Sequence, residues 1–260
     1  MSEAMIRVER DGDVLVIALN RPDRLNAAPT AMFDQIRDAL AGLDGARAVL
    51  IRGEGRAFCA GADVGGGALG SDDPEAATFA ALTEHYNPTL AAIADLAVPV
   101  VSAVRGAAAG IGSSLALTAD FCIASPTAYF LQAFVNIGLV PDGGATWLLP
   151  RIVGRARAME MMMLGERVSA ERALEWGLIH RVVTDERLDE EALALAQRLA
   201  RGPTVALGLM RRAVWRALDT GHAEAMLAEA EAQRRARGSA DSVEGGMAFL
   251  QKRPPEFKGR

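Results

Sequence analysis

Lysine is almost missing from this chain. Of its 28 basic residues only Lys252 and Lys258 are lysine, so the first 250 positions supply neither the lysine of a phosphate-binding P-loop nor a Tyr-x-x-x-Lys dehydrogenase pair. Cysteine is scarce too. Cys59 and Cys122 sit in apolar contexts without C-x-x-C spacing, which gives no disulfide framework and no zinc site and marks both as packing residues. Of the three histidines, His85, His180 and His222, none falls within a glycine-rich motif, so they read as structural or surface residues. No run approaches the roughly 20 uninterrupted apolar residues that a membrane helix needs, and a signal-peptide pattern is lacking. The expectation is a cytoplasmic protein without a membrane partner. A net charge of −5 argues against nucleic acid as a partner, since such binders normally present a basic surface.

What is present is a chain of 260 residues, half of them hydrophobic, long enough to bury a large core as one domain or as one domain with an appendage. Two apolar runs, 5–10 and 13–19, flank Asp11-Gly12 and predict a hairpin. A loop at 21–26, a helix over 30–43 and a buried strand at 48–52 follow. A glycine-rich bend spans 53–63, and the glycine- and aspartate-rich stretch after it, Val64 to Pro74, is expected to be mobile and able to form a lid. A helix over 75–95 leads into the central strand. Strands at 121–124 and 128–131, a third glycine-rich turn at 135–147, short helices at 156–164 and 170–176, and helices at 186–200, 204–219, 222–237 and 240–251 complete the reading, with a boundary near Arg201.

The stretch from Pro99 to Asp120 is the centre of the pattern. An apolar β-branched run gives way to Gly106, Ala107–Ala109, Gly110 and Gly112, then to a Leu/Ala helix. Strand, tight turn and helix leave the first helical amides unpaired and backed by the positive end of the helix dipole, which suits an anion or an oxygen that turns negative during reaction. Close packing of helix on strand uses the same small residues. A dinucleotide site would also use Gly110-Ile-Gly112, but Leu115 replaces the third glycine of G-x-G-x-x-G.

The stretches Gly55–Asp63, Pro99–Gly112, Leu115–Asp120, Ile137–Gly144 and Phe249–Lys258, in this order over nearly the whole chain, resemble the crotonase superfamily, also called the enoyl-CoA hydratase/isomerase family. The resemblance implies an α/β fold: a spiral of ββα units over residues 1–200 holding a CoA-thioester site, then a helical oligomerisation region at 201–260. It implies an acyl-CoA substrate, coenzyme A being part of that substrate with no separate cofactor or metal, and a homotrimer or a hexamer built as a dimer of trimers. The backbone amides of Ala62 and Ile111 would form an oxyanion hole, although Ile111 departs from the glycine usual there. Asp23, Arg24, Leu25, Ala60, Ala62 and, from a neighbouring subunit, Phe249 and Lys252 would contact CoA.

Hydratases of the family carry two glutamates where this chain has Ser114 and Phe134, and neither can act as a carboxylate base. The carboxylate left at a motif position is Asp142, where the family's isomerases and aryl-CoA dehalogenases place an acid. One acid that takes a proton at one carbon and returns it at another is sufficient to move a double bond. Phe134, Val140 and Trp147 are expected to raise its pKa by desolvation, and Tyr86, Ser114, Phe134 and Trp147 to line the acyl pocket. A plainer role for Asp142 is to cap the helix containing Trp147. Within the superfamily the chain is most similar to the ring-1,2-epoxyphenylacetyl-CoA and Δ3,Δ2-enoyl-CoA isomerase group. A hydratase with a single carboxylate, a dehalogenase with Asp142 as nucleophile, and a non-catalytic acyl-CoA-binding protein are the other readings.

Overall fold

Asp11 and Gly12 reverse the chain between β1 (Ile6–Asp11) and β2 (Val14–Leu19), which pair antiparallel from Ile6 opposite Leu19 to Asp11 opposite Val14. In the computed structural model, which describes residues 4–63 and 71–260, β3 (Ala48–Gly53), β4 (Val100–Val104), β6 (Phe121–Ala124) and β9 (Arg181–Val182) then add parallel to β2, giving a six-stranded sheet in the order β1-β2-β3-β4-β6-β9. A second sheet of three short strands, β5 (Ala107–Ala109), β7 (Tyr129–Leu131) and β8 (Val168–Ser169), stands beside it. Parallel neighbours need crossover connections, and these carry the helices and the glycine-rich turns.

Strand alternation divides the interior into two layers. Leu15, Ile17, Leu19, Val49 and Ile51 face Met32, Phe33, Ile36 and Leu40 of α1 (Thr30–Ala41), residues at helical spacing that form its buried stripe. Val14, Val16, Leu50, Val101, Ala103 and Ile123 point the other way. They are covered by Leu188, Ala192, Ala196 and Ala200, one residue per turn along the helix Leu188–Ala200. The alanines bring that helix close to the sheet.

The helix expected over 75–95 forms as α2 (Pro74–Ala80), a π-helical turn Ala81–Tyr86, and α3 (Asn87–Asp95). Pro88 explains the irregularity, since it has no amide to give to the carbonyl of Glu84, which accepts from Arg37 instead at 3.1 Å. The lid expectation falls mostly on 64–70, outside the described residues; Asp73, just after them, caps α2 by accepting from the Ala76 amide. β5 occupies what the sequence suggests is turn, because Ala107–Ala109 pair with β7 and Ala109 also donates to Cys59. After α4 (Ile111–Leu117), α5 (Ala145–Leu164) starts 11 residues earlier than the expected helix at 156 and breaks at Gly154, whose φ of +78° is non-helical.

After α6 (Ala170–Glu175) and α7, the Leu188–Ala200 helix, the chain ends in α8 (Thr204–Ala217), α9 (His222–Arg237) and α10 (Ala240–Gln251). Arg211 docks α8 to the sheet layers. Its side chain is 3% exposed, pairs with Asp120 at 2.7 Å and donates to the carbonyls of Ala94 and Leu96. Among the described residues, no helix is long and apolar enough to cross a membrane.

Candidate active site

Three turns converge. The first follows β3. Asn26, fully buried and held at φ +54°, donates to the carbonyls of Glu54 and Ala57, and its side-chain oxygen accepts from the Arg21 amide. The Ala60 amide donates to Leu25, the Ala28 amide to Gly61 and the Asp63 amide to Ala28. This isolated parallel bridge uses the groups on either side of Ala62, so strand alternation turns the Ala62 amide away from Ala28. Ala62 is exposed there.

The second turn joins β5 to α4. The Gly110 amide donates to Leu131, while the Gly110 carbonyl accepts from Ser113 and Ser114. Ile111 is therefore the first helical residue, and its amide is among those with no partner inside the helix. Gly110 sits at φ +51° and ψ −128°, which a residue with a Cβ resists. The two turns meet edge to edge. A Cβ on Gly110 would lie 3.9 Å from Cα of Gly61, and one on Gly61 would lie 3.3 Å from the Ala109 carbonyl oxygen. Each of the two amides named from the sequence thus comes one residue after a glycine with positive φ, Gly61 or Gly110.

The third turn carries Asp142. Its backbone carbonyl accepts from the Ala145 amide at 3.1 Å and from Oγ of Ser114 at 3.3 Å. Gly143 is wedged against the start of α4 and against α3. A Cβ there would lie 2.5 Å from Cδ1 of Ile111, 2.9 Å from Cβ of Ser114 and 3.0 Å from Cδ1 of Leu90. The carboxylate caps nothing, because α5 opens on Gly144 with no side-chain cap, and Asp142 Oδ1 is buried without a hydrogen-bond partner. Burial raises its pKa from 3.8 to about 6.

The direction of that shift follows the sequence reading, but its surroundings differ. Val140 is 80% exposed. Trp147 points to the C-terminal helices, stacked on Trp215 with ring centroids 5.5 Å apart and donating through Nε1 to Asp219. Ile111, Leu90 and Ser114 are the side chains packed around this turn. Phe134 does join the site, with its ring tip 3.5 Å from where a Gly110 Cβ would be. Burial, and after it the nearby charge of Asp142, pushes the Tyr86 phenol above the ordinary range. Its hydroxyl donates to Ala28 at 2.8 Å, and Phe33 meets its ring edge-on.

Cys59 is buried, with its thiol pushed up to about 11, and Cys122 is buried with its thiol pushed up to about 12, so neither is a nucleophile at neutral pH. His85 pairs through Nδ1 with Asp34, and His180 meets Phe121 edge-on. Arg24 ends an exposed 3-10 turn, Pro22–Arg24, and Leu25 caps it in the left-handed conformation. Phe249 is 83% exposed on α10, and Lys252 caps that helix. Two surface clefts, of about 340 Å³ beside Cys122 and His180 and about 480 Å³ beside Asp241 and Arg253, contain none of the candidate residues. Leu90, Asn26 and the pair of Arg21 with Asp63 are the parts of the site that sequence reasoning missed. Only the helical recurrence of Tyr86, Leu90 and Ile93 could have hinted at the first.

Comparison with known proteins gives the family and the fold. A family model described as enoyl-CoA hydratase/isomerase matches residues 9–260. A probable enoyl-CoA hydratase of Rhodobacter capsulatus is 44% identical over the full length of both chains. The 1,2-epoxyphenylacetyl-CoA isomerase of Escherichia coli is 43% identical over 95% of each. Among solved structures, a putative enoyl-CoA hydratase from Streptomyces coelicolor superimposes with a TM-score of 0.93 at 37% identity, over 100% of this chain and 96% of that one. With its α/β spiral, its helical C-terminal region and its paired glycine turns, the chain belongs to the enoyl-CoA hydratase/isomerase family of the crotonase superfamily.

Proposed function

We propose that the protein is an acyl-CoA isomerase in which Asp142 alone moves the proton. The observation that carries this is a half-buried carboxylate whose Oδ1 is buried without a hydrogen-bond partner and whose pKa is raised to about 6, next to the opening of α4, with a serine and a phenylalanine at the places of the two hydratase glutamates. A base with a pKa near the working pH is both ionised and strong enough to take a carbon-bound proton. In a 3-enoyl-CoA the C2–H bond breaks, the proton passes to Asp142, and the electron pair spreads into the thioester. The amides of Ala62 and Ile111 hold the oxygen that becomes negative. Charge returns through the former C3=C4 bond, C4 takes the proton back from Asp142, and the double bond ends between C2 and C3. One such donor contributes about 10²–10³ in rate in other enzymes.

Arg24, Leu25 and Ala60 hold the CoA moiety on one protomer, with Phe249 and Lys252 reaching it from a neighbour in a trimer or hexamer. Exposed apolar side chains such as Met210, Met226, Met247 and Leu250 on α8–α10 support an oligomeric contact. Tyr86, Ser114 and Phe134 border the acyl group. The Escherichia coli relative, by its name, supports a 1,2-epoxyphenylacetyl group as the acyl part of the substrate. The Rhodobacter relative, by its name, supports a second reading, water addition with Asp142 as the single carboxylate. Asp142→Asn tests the assignment. Turnover of a 3-enoyl-CoA is expected to fall at least about 100-fold, and an asparagine enzyme that isomerises at the wild-type rate would exclude Asp142 as the base.

A further inference from the structure

We infer that the ion pair of Arg21 with Asp63 is a positioning device that fixes the direction of the Ala62 amide, an inference that rests on the reading of that amide as a thioester-oxygen donor. Asp63 follows Ala62 directly, and Arg21 begins the loop that presents Arg24 and Leu25. Arg21 Nη1 reaches Asp63 Oδ2 at 2.7 Å, with the two side chains 22% and 27% exposed, so the pair is sheltered but not sealed. The same Nη1 donates to the Ala27 carbonyl, and the Arg21 amide is fixed by Oδ1 of Asn26. The guanidinium therefore belongs to a frame set by a fully buried asparagine.

The Ala62 peptide needs such a hold. On its N-terminal side stands Gly61 at φ +110°, the backbone type with least intrinsic preference. The bridge to Ala28 secures the Gly61 carbonyl and the Asp63 amide by one hydrogen bond each, 2.8 and 3.0 Å long. The Gly61 carbonyl lies in the same peptide plane as the Ala62 amide, so that amide is aimed only as firmly as Ala28 is held against residues 61–63. Arg21 ties those residues to their partner, because its Nη1 holds both the Asp63 carboxylate and the Ala27 carbonyl, which shares a peptide plane with the Ala28 amide that donates to Gly61. A donor must be aimed before charge develops, because reorientation during the reaction forfeits its advantage. A misplacement of about 1 Å can cost about 10²-fold.

The test uses Arg21→Gln and Asp63→Asn in the full chain, with a 3-enoyl-CoA as substrate. Each is expected to lower kcat by about 10–100-fold with KM changed less than about threefold. Arg21→Lys, which can still offer two N–H groups from one charged nitrogen, recovers most of the loss. A structural role alone would not move the second readout, the infrared stretch of a saturated acyl-CoA labelled with ¹³C at its thioester carbonyl. On the wild type the bound carbonyl shifts to lower frequency, and the shift shrinks in both variants. If the wild type itself shows no shift, the donor reading fails and this inference with it. If the wild-type shift is present and survives in both variants with kcat unchanged, the inference alone is overturned. Should Arg21→Gln not fold, as judged by circular dichroism, Asp63→Asn decides by the same two readouts.

Discussion

Asp142→Asn should uncouple stability from activity in a way that depends on pH. The carboxyl goes from 3.8 in an exposed setting to about 6 in the fold. Between those values the folded chain holds a proton that the unfolded chain has released, so wild-type stability falls as pH rises through the window and levels off above it. At about 1.4 kcal/mol per unit, a shift of about two units costs about 3 kcal/mol at neutral pH, and about 2 once partial solvent access is allowed for. Asparagine never ionises and escapes this cost. The difference in unfolding free energy between variant and wild type should therefore grow by about 2 kcal/mol between pH 4 and pH 7, equivalent to a relative gain of about 4–8 °C in Tm for a chain of this size. Urea unfolding of both proteins at matched pH values measures it, and any packing effect of the amide itself cancels because only the pH-dependent part is compared. A difference that stays flat from pH 4 to pH 7 would show that Asp142 is solvated in the fold and would remove the physical basis for its role as a base.

The same burial gives kcat/KM a rising limb with an apparent pKa near 6, and a pH–rate profile flat from 5 to 8 would contradict it. Arg211→Ala leaves the Asp120 carboxylate and two carbonyls without their partner, so urea unfolding should show a loss of about 3 kcal/mol or more. Gly143→Ala puts a methyl group 2.5 Å from Ile111 at a positive-φ position, and is expected to lower Tm and kcat together. Cys59 and Cys122 should resist a thiol reagent at pH 8 in the folded protein and react once it is unfolded, since both thiols are buried and raised well above that pH.

The sequence carried the parts of this site that glycine and charge write locally. Gly61, Gly110, Gly143 and Gly144 all adopt positive φ, and each had marked its turn. Asp142 stood out as the carboxylate at the position where the family's isomerases place an acid. What surrounds Asp142 was not legible, because it is set by contacts between distant segments. Leu90 comes from a helix about fifty positions upstream, Val140 points to solvent although it neighbours the aspartate, and Trp147 is drawn off by Trp215. The π turn before Asn87 and strand β5 were missed for a similar reason. One depends on where an arginine from α1 satisfies a freed carbonyl, the other on pairing with Cys59 and β7. The frame of Asn26, Arg21 and Asp63 likewise joins two loops that look merely polar in isolation.

The most direct measurement supplies a 3-enoyl-CoA and a 2-enoyl-CoA side by side to the wild-type protein and to Asp142→Asn, following both reactions by proton NMR. The wild type is expected to move the double bond of the 3-enoyl substrate with no 3-hydroxyacyl-CoA formed from either substrate, and the asparagine protein to leave both substrates unchanged. Rapid addition of water to the 2-enoyl substrate, or migration that continues without the carboxylate, would contradict this expectation.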